Sequence, residues 1–238
     1  MPPRFVVTGG RPLSGTIRPA GNKNAALPIL AATMLADGPV ELANVPRIRD
    51  VEMMIALLES VGASVAWTGP NAVRVDATGA VARPLDPALC ARIRASILMA
   101  APMLARFGHV MLPPPGGDVI GRRRVDTHFL ALEALGANVS IGDRYELEAK
   151  KLRGADIFLD EPSVTGTENA LMAAVKAQGT TTLRNAAAEP HVQDLARMLV
   201  AMGAEIEGIG SNTYVVHGGR PLHGASFEIG PDHIEIGS

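Results

Sequence analysis

Cysteine is nearly absent from this chain: one residue, Cys90, in 238, so no internal disulfide can form. Aromatic residues are almost as scarce, with five Phe, two Tyr and one Trp. Net charge is small as well, 22 Lys and Arg against 24 Asp and Glu giving −2. A near-neutral chain with few rings offers neither the basic surface nor the stacking platforms of a nucleic-acid binder. Long apolar runs are also missing. The two longest, residues 25–36 and 95–105, each contain a proline and fall short of the roughly 20 residues that a membrane-spanning helix needs. Residues 1–7 hold one arginine and no apolar stretch leading to a cleavage site, so they do not read as a secretory signal. His128 and His191 have no second histidine or cysteine at ligand spacing, and no metal site is expected. The expectation is a cytoplasmic protein that engages neither nucleic acid nor membrane.

What the chain does have is apolar residues, 47% of the total, arranged in a repeating pattern. Residues 50–65, 125–139 and 192–206 each space apolar side chains three and four apart. Each then reads Gly-Ala, at Gly62-Ala63, Gly136-Ala137 and Gly203-Ala204, and opens an apolar strand. This is an amphipathic helix ended by a C-terminal glycine and running into a strand. A second strand follows each copy, near residues 72–75, 145–149 and 213–216. Upstream of each lies a more apolar helix, residues 24–35, 88–106 and 167–177, then a strand near Val40, Val110 or Thr181. Gly38, Gly108 and Gly179 mark the helix ends. The fold class is therefore α/β, with a βαβαββ unit of about 70 residues repeated three times and packed around buried helices. Two ends do not fit a closed unit: residues 5–7 read as a strand, and residues 227–229 and 234–236 read as the start of something new.

Several polar residues stand out against this background. Gly21-Asn22-Lys23-Asn24 falls at a strand-to-helix junction, where exposed N–H groups and a lysine favour an anion, although asparagine capping explains it equally. The sequence PPPGGD, residues 113–118, marks an exposed loop leading to Arg122, Arg123 and Arg124, whose guanidinium groups suit phosphate or plain solvation. Arg94 lies in an otherwise apolar helical run and must reach the surface, pair, or face a cleft. Asp50, Asp126 and Asp194 recur near the starts of the three amphipathic helices, where helix-dipole compensation accounts for them. Cys90 reads as a small buried residue.

Five segments, GNKNAALPIL, IRASILMAAPMLARFG, PGGDVIGRRRVDTH, PSVTGTENALMAA and NAAAEPHVQDLARMLVAMGA, together resemble the UDP-N-acetylglucosamine enolpyruvyl transferase family, in order and along the whole chain. The resemblance implies the inside-out α/β barrel of that family, two domains of three repeats with the chain starting in one, completing the other and returning. Residues 1–21 would then be a strand segment of the partner domain, 22–230 a complete three-repeat domain, and 231–238 the return. The implied reaction moves enolpyruvyl from phosphoenolpyruvate to the 3-hydroxyl of UDP-N-acetylglucosamine and releases phosphate, the first committed step of peptidoglycan synthesis, with no cofactor. By the same resemblance Lys23 and Arg123 hold phosphoenolpyruvate, Asn24 contacts the sugar nucleotide and Arg94 lines the cleft. Arg123, Val125 and Asp126, with Ser163, Val164 and Thr165, match the segments holding the UDP portion.

Two residues depart from the family pattern. Asp118 stands where most members carry a loop cysteine, which implies a carboxyl as general acid and insensitivity to fosfomycin. Arg124 replaces a common proline, which bears on loop shape. The sister enzyme acting on shikimate 3-phosphate shares the repeat and the mechanism. It usually carries serine at the Asn24 position, however, and lacks PGGDVIG. A noncatalytic nucleotide-sugar-binding domain is the alternative outside the enzymes.

Overall fold

A computed structural model describes residues 4–10, 12, 14–117 and 124–237. The first repeat comprises α1 (Lys23–Ala32), prolonged by a 3-10 turn Thr33–Leu35, then β1 (Val40–Ala43), α2 (Arg49–Ser60), β2 (Ser64–Gly69) and β3 (Ala72–Asp76). The second has α3 (Pro87–Cys90), a 3-10 helix Arg94–Met99, α4 (Ala100–Phe107), β4 (His109–Leu112), α5 (Asp126–Ala134), β5 (Asn138–Ile141) and β6 (Tyr145–Glu148). The third runs β7 (Asp156–Phe158), α6 (Val164–Ala174), β8 (Gly179–Arg184), α7 (Pro190–Ala201), β9 (Glu205–Glu207) and β10 (Thr213–Gly218), and β11 (Ser226–Glu228) and α8 (His233–Gly237) end the chain.

Each repeat makes its own sheet, in the orders β11-β1-β3-β2, β4-β6-β5 and β7-β8-β10-β9. Helices α2 and α7 are amphipathic: α2 buries Val51, Met54, Ile55 and Leu58, and α7 buries Val192, Leu195, Ala196 and Leu199, both at helical spacing. The other helix of each repeat is more deeply buried and sits inside. Every residue from Ala25 to Ala32 of α1 is buried, as is every residue from Gly166 to Ala174 of α6. Small side chains let these inner helices approach closely. A Cβ on Gly166 would lie 3.0 Å from Thr127 Cγ2 on α5. Gly62, Gly136 and Gly203 all have positive φ, 97°, 99° and 106°, as the helix stops require.

The three repeats are not equal, and the sequence expectation needs four corrections. First, residues 227–229 do not begin something new: β11 pairs in parallel with β1, Glu41 opposite Ser226 and Leu42 opposite Phe227, and supplies the first strand of repeat one. Second, repeat two lacks that strand among the described residues. Pro84 and Pro87 lack the N–H groups a ladder needs, and one hydrogen bond, Leu85 N to Met111 O at 3.1 Å, marks where the strand would lie. Third, the helix expected over residues 88–106 is broken into α3, the 3-10 helix and α4. Fourth, residues 5–7 form no strand and are exposed, and residues 234–236 lie in α8.

Repeats one and three share a further device. Asn44 and Asn185 close β1 and β8, both at φ 54°, and their side-chain amides donate to Ile229 O and Leu159 O, each at 2.8 Å. In repeat two the equivalent position after β4 is Pro113, and the proline-glycine loop takes its place. Entry and exit of the chain run side by side. Asn22 N donates to Gly230 O at 2.9 Å, Asp232 N donates to Ala20 O at 2.8 Å, and Gly21 bridges Pro231.

Candidate active site

The inner helical segments of the three repeats begin at one cleft of about 410 Å³. It is lined by Lys23 and Asn24 from α1, by Arg92, Arg94 and Ala95 from the second repeat, and by Val164 and Thr165 from α6. Helix starts direct unpaired N–H groups and the positive end of the dipole outward, so three of them around one space create a region suited to an anion. The local sequence explains the arrangement. Asn22 caps α1, its Oδ1 accepting from Asn24 N at 2.7 Å and Ala25 N at 3.2 Å, which frees Lys23 to project. Ser163 caps α6, its Oγ accepting from Gly166 N at 3.2 Å. Pro28, on the cleft wall, lacks an N–H and leaves the Asn24 carbonyl without its intrahelical donor.

Three of the wall side chains are cations. Lys23 Nζ lies 3.2 Å from Asp50 Oδ2, with each side chain about two-fifths exposed, so the pair is available to solvent and ligand alike. Arg94 Nη2 donates to the Arg124 carbonyl at 3.3 Å, which ties the arginine to the base of the loop. Arg124 itself turns away to Asp126 and Asp160. Its Nε to Asp126 Oδ1 distance is 2.9 Å, and the bonds to Asp126 hold its guanidinium protonated above the ordinary range. Asp160 accepts from Thr127 Oγ1 at 2.7 Å, which holds its carboxyl below the usual range.

A buried chain of hydrogen bonds orients Thr165. Asn169 Oδ1 accepts from Ala101 N at 3.2 Å and its Nδ2 donates to Ile97 O at 3.0 Å, so neither amide orientation is free to change. The same Nδ2 lies 2.7 Å from His128 Nδ1, which must therefore accept. That assignment places the ring proton on Nε2, 3.1 Å from Thr165 Oγ1. Burial, reinforced by Arg94, lowers the His128 pKa to about 4 and keeps the ring neutral. With its oxygen accepting from His128, the Thr165 hydroxyl has its own proton to donate into the cleft.

The glycines of the proline-glycine loop press it against the second repeat. Gly116 N donates to Cys90 O at 3.0 Å, and Gly117, at φ 92°, lines the cleft beside Arg94. A Cβ on Gly116 would lie 1.8 Å from the Ala91 carbonyl oxygen. Gly116→Ala is expected to lift the loop from this landing and lower stability by roughly 1–3 kcal/mol. Thermal unfolding checks it, and an unchanged midpoint would count against the contact.

Of the residues singled out in the sequence, the structure brings Lys23, Asn24, Arg94, Val164 and Thr165 to one cleft. Val125, Asp126 and Ser163 sit beside it, at the starts of α5 and α6, without lining it. Asp118 and Arg123, with Arg122, lie outside the described residues. The dipole account of the three aspartates is incomplete. Asp50 pairs with Lys23, while Asp194 lies beyond the first turn of α7 and accepts from Gly230 N at 3.0 Å. Sequence reasoning missed three charged or titratable lining groups, Arg92, Glu168 and His191. Glu168 is an acid within the apolar helix α6, and the logic that singled out Arg94 applies to it equally. His191 was weighed only as a metal ligand. Its ring stacks on His233 with centroids 5.7 Å apart, and burial lowers its pKa.

Comparison with known proteins places the chain in a family. Residues 7–237 match the family described as EPSP synthase (3-phosphoshikimate 1-carboxyvinyltransferase), and the chain belongs to that family. Within it, the curated relatives that the chain matches include UDP-N-acetylglucosamine 1-carboxyvinyltransferases. That of Bradyrhizobium diazoefficiens is 63% identical over 237 residues, 100% of this chain and 55% of the relative, and that of Treponema denticola is 51% identical over 98% of this chain and 55% of the relative. The chain thus spans about half the length of the curated relatives it matches. Among solved structures, the enolpyruvyl transferase NikO from Streptomyces tendae superposes with a TM-score of 0.83 at 26% identity, covering 96% of this chain and 54% of that one. EPSP synthase from Acinetobacter baumannii, at 18% identity and a TM-score of 0.72, shares the fold.

Proposed function

We propose that this chain is one half of an enzyme transferring enolpyruvyl from phosphoenolpyruvate to the 3-hydroxyl of UDP-N-acetylglucosamine, with loss of phosphate, at the start of peptidoglycan synthesis. The observation that carries this is the convergence of three inner helical segments, with Lys23, Arg92 and Arg94, on one cleft. Two anionic substrates need such a surface, and the preorganised donors stabilise charge as the phosphoryl group leaves. Lys23 and Arg123 are assigned to phosphoenolpyruvate. Asn24, Val125, Asp126, Ser163, Val164 and Thr165 are assigned to the sugar nucleotide, the Thr165 hydroxyl donating as His128 directs it. Arg94 lines the cleft between them. Residues 22–230 form the three-repeat domain, and the adjoining segments lead to a second domain that supplies the opposite wall.

The mechanism needs a proton delivered to the methylene carbon of phosphoenolpyruvate while the sugar hydroxyl attacks the neighbouring carbon. That proton is later removed as phosphate departs. Asp118 is assigned as the acid. An ordinary aspartate with a pKa of about 3.9 would be ionised at neutral pH, and closure over an anionic substrate raises it through desolvation and like charge. The 238-residue chain alone is expected to bind UDP-N-acetylglucosamine weakly and to release no phosphate, because half of the cleft is missing. Titration calorimetry and a phosphate-release assay test this, and turnover by the 238 residues alone would refute it. The full-length protein is expected to release phosphate with UDP-N-acetylglucosamine. Release with shikimate 3-phosphate instead would assign the sister activity.

A further inference from the structure

Glu168 projects from the second turn of α6 to the cleft, and its surroundings are unusual for an acid. The residue is 1% exposed, and its Oε1 is buried with no hydrogen-bond partner among the described residues. Capping does not explain it, because Ser163 already serves the start of the helix and Glu168 lies beyond the first turn. An ion pair does not explain it either. No ion pair to Glu168 is present among the described residues: Lys23 sits on Asp50 and Arg94 Nη2 on the Arg124 carbonyl. An unpaired carboxylate in this position would carry the full cost of burying a charge, whereas the neutral acid carries only that of an unmade hydrogen bond. Glu168 therefore lines the cleft while its buried Oε1 has no partner among the described residues.

We infer that Glu168 is held as the neutral carboxylic acid and donates its hydroxyl hydrogen bond to an oxygen of the anionic ligand, making it a specificity-determining residue of the cleft. This rests on the substrate reading given above for the identity of the ligand, but the protonation state does not. Burial and the nearest acid act in the same direction. Burial raises the Glu168 pKa well above the usual carboxylate range, and the Glu189 carboxylate at the start of α7 raises it further. His191 on α7 and His128 on α5 are both shifted towards their neutral forms, so neither supplies a compensating positive charge. Lys23 on α1, Asp50 on α2, and Arg92 and Arg94 of the second repeat are the remaining charged groups on the walls. An acid O–H directed at a ligand oxygen suits a phosphate or carboxylate. Once ionised, the same group repels either one, so affinity is present below its pKa and lost above it.

The test combines spectroscopy with binding on the full-length protein, with UDP-N-acetylglucosamine as the probe. The carboxyl 13C resonance of Glu168, assigned by its absence from the Glu168→Gln spectrum, is expected at the position of a neutral acid at neutral pH. A carboxylate resonance there overturns the inference. In titrations, Glu168→Leu, which has no donor, is expected to weaken probe binding about 10- to 100-fold. Glu168→Gln, which keeps an N–H donor and cannot ionise, is expected to recover part of that loss and to abolish the fall in affinity at alkaline pH. A leucine variant that binds as tightly as the unmutated chain overturns the ligand contact. If the unmutated full-length protein shows a neutral Glu168 yet does not take the probe, the substrate reading and the assigned ligand class fail while the protonation state stands.

Discussion

Asp118→Asn in the full-length enzyme is expected to cut turnover about 10²–10⁴-fold, the contribution of a general acid. The amide keeps the shape of the side chain but has no acidic proton to place on the methylene carbon. Substrate affinity should change far less, so the loss belongs in kcat and not in KM. Asp118→Cys is expected to retain substantial activity, since a thiol also donates a proton, and to gain time-dependent inactivation by fosfomycin. A thiolate opens the epoxide readily and a carboxylate does not. Mass spectrometry of the loop peptide detects the adduct. Normal turnover by the asparagine variant, or rapid alkylation of the unmutated enzyme, would remove Asp118 from this role.

The second large effect is expected at Lys23. Lys23→Ala removes a full charge from the start of α1 in a site that closes over anions, costing about 3–4 kcal/mol of transition-state stabilisation, or roughly 10²–10³ in kcat/KM. Folding should be almost untouched. The Lys23–Asp50 pair is about two-fifths exposed at both partners, and solvent-screened pairs contribute about 0–1 kcal/mol. Steady-state kinetics and thermal unfolding of the same variant separate the two. An equally active Lys23→Ala enzyme would reduce the junction to a capping motif.

The repeat and its outer helices were legible in the sequence because both depend on local patterns. A glycine at positive φ and apolar spacing within one helix need no knowledge of the rest of the chain, and Gly62, Gly136 and Gly203 stop their helices as read. The first strand of repeat one was not legible, since β11 reaches β1 from the far end of the chain and the residues between carry no mark of that pairing. The break between α3 and α4 was hidden by an apolar run that suits a continuous helix equally well. In the cleft, Lys23 and Arg94 stood out as charges at a junction and in an apolar run, and both line it. Thr165 was reached through resemblance, but its orientation through Asn169 and His128 depends on side chains from two further helices. Glu168 was passed over because an acid in a helix reads as solvated until its burial is known.

The closing of the first sheet by β11 has a consequence for synthesis. The sheets of repeats two and three are complete once β10 has emerged from the ribosome, whereas β1, made before either of them, must wait for β11. Until residue 226 appears, β1 presents an unpaired edge to the cell, and such an edge invites pairing with foreign strands. The first repeat is thus secured after the two repeats that follow it, and a ribosome pausing just before β11 holds that edge open.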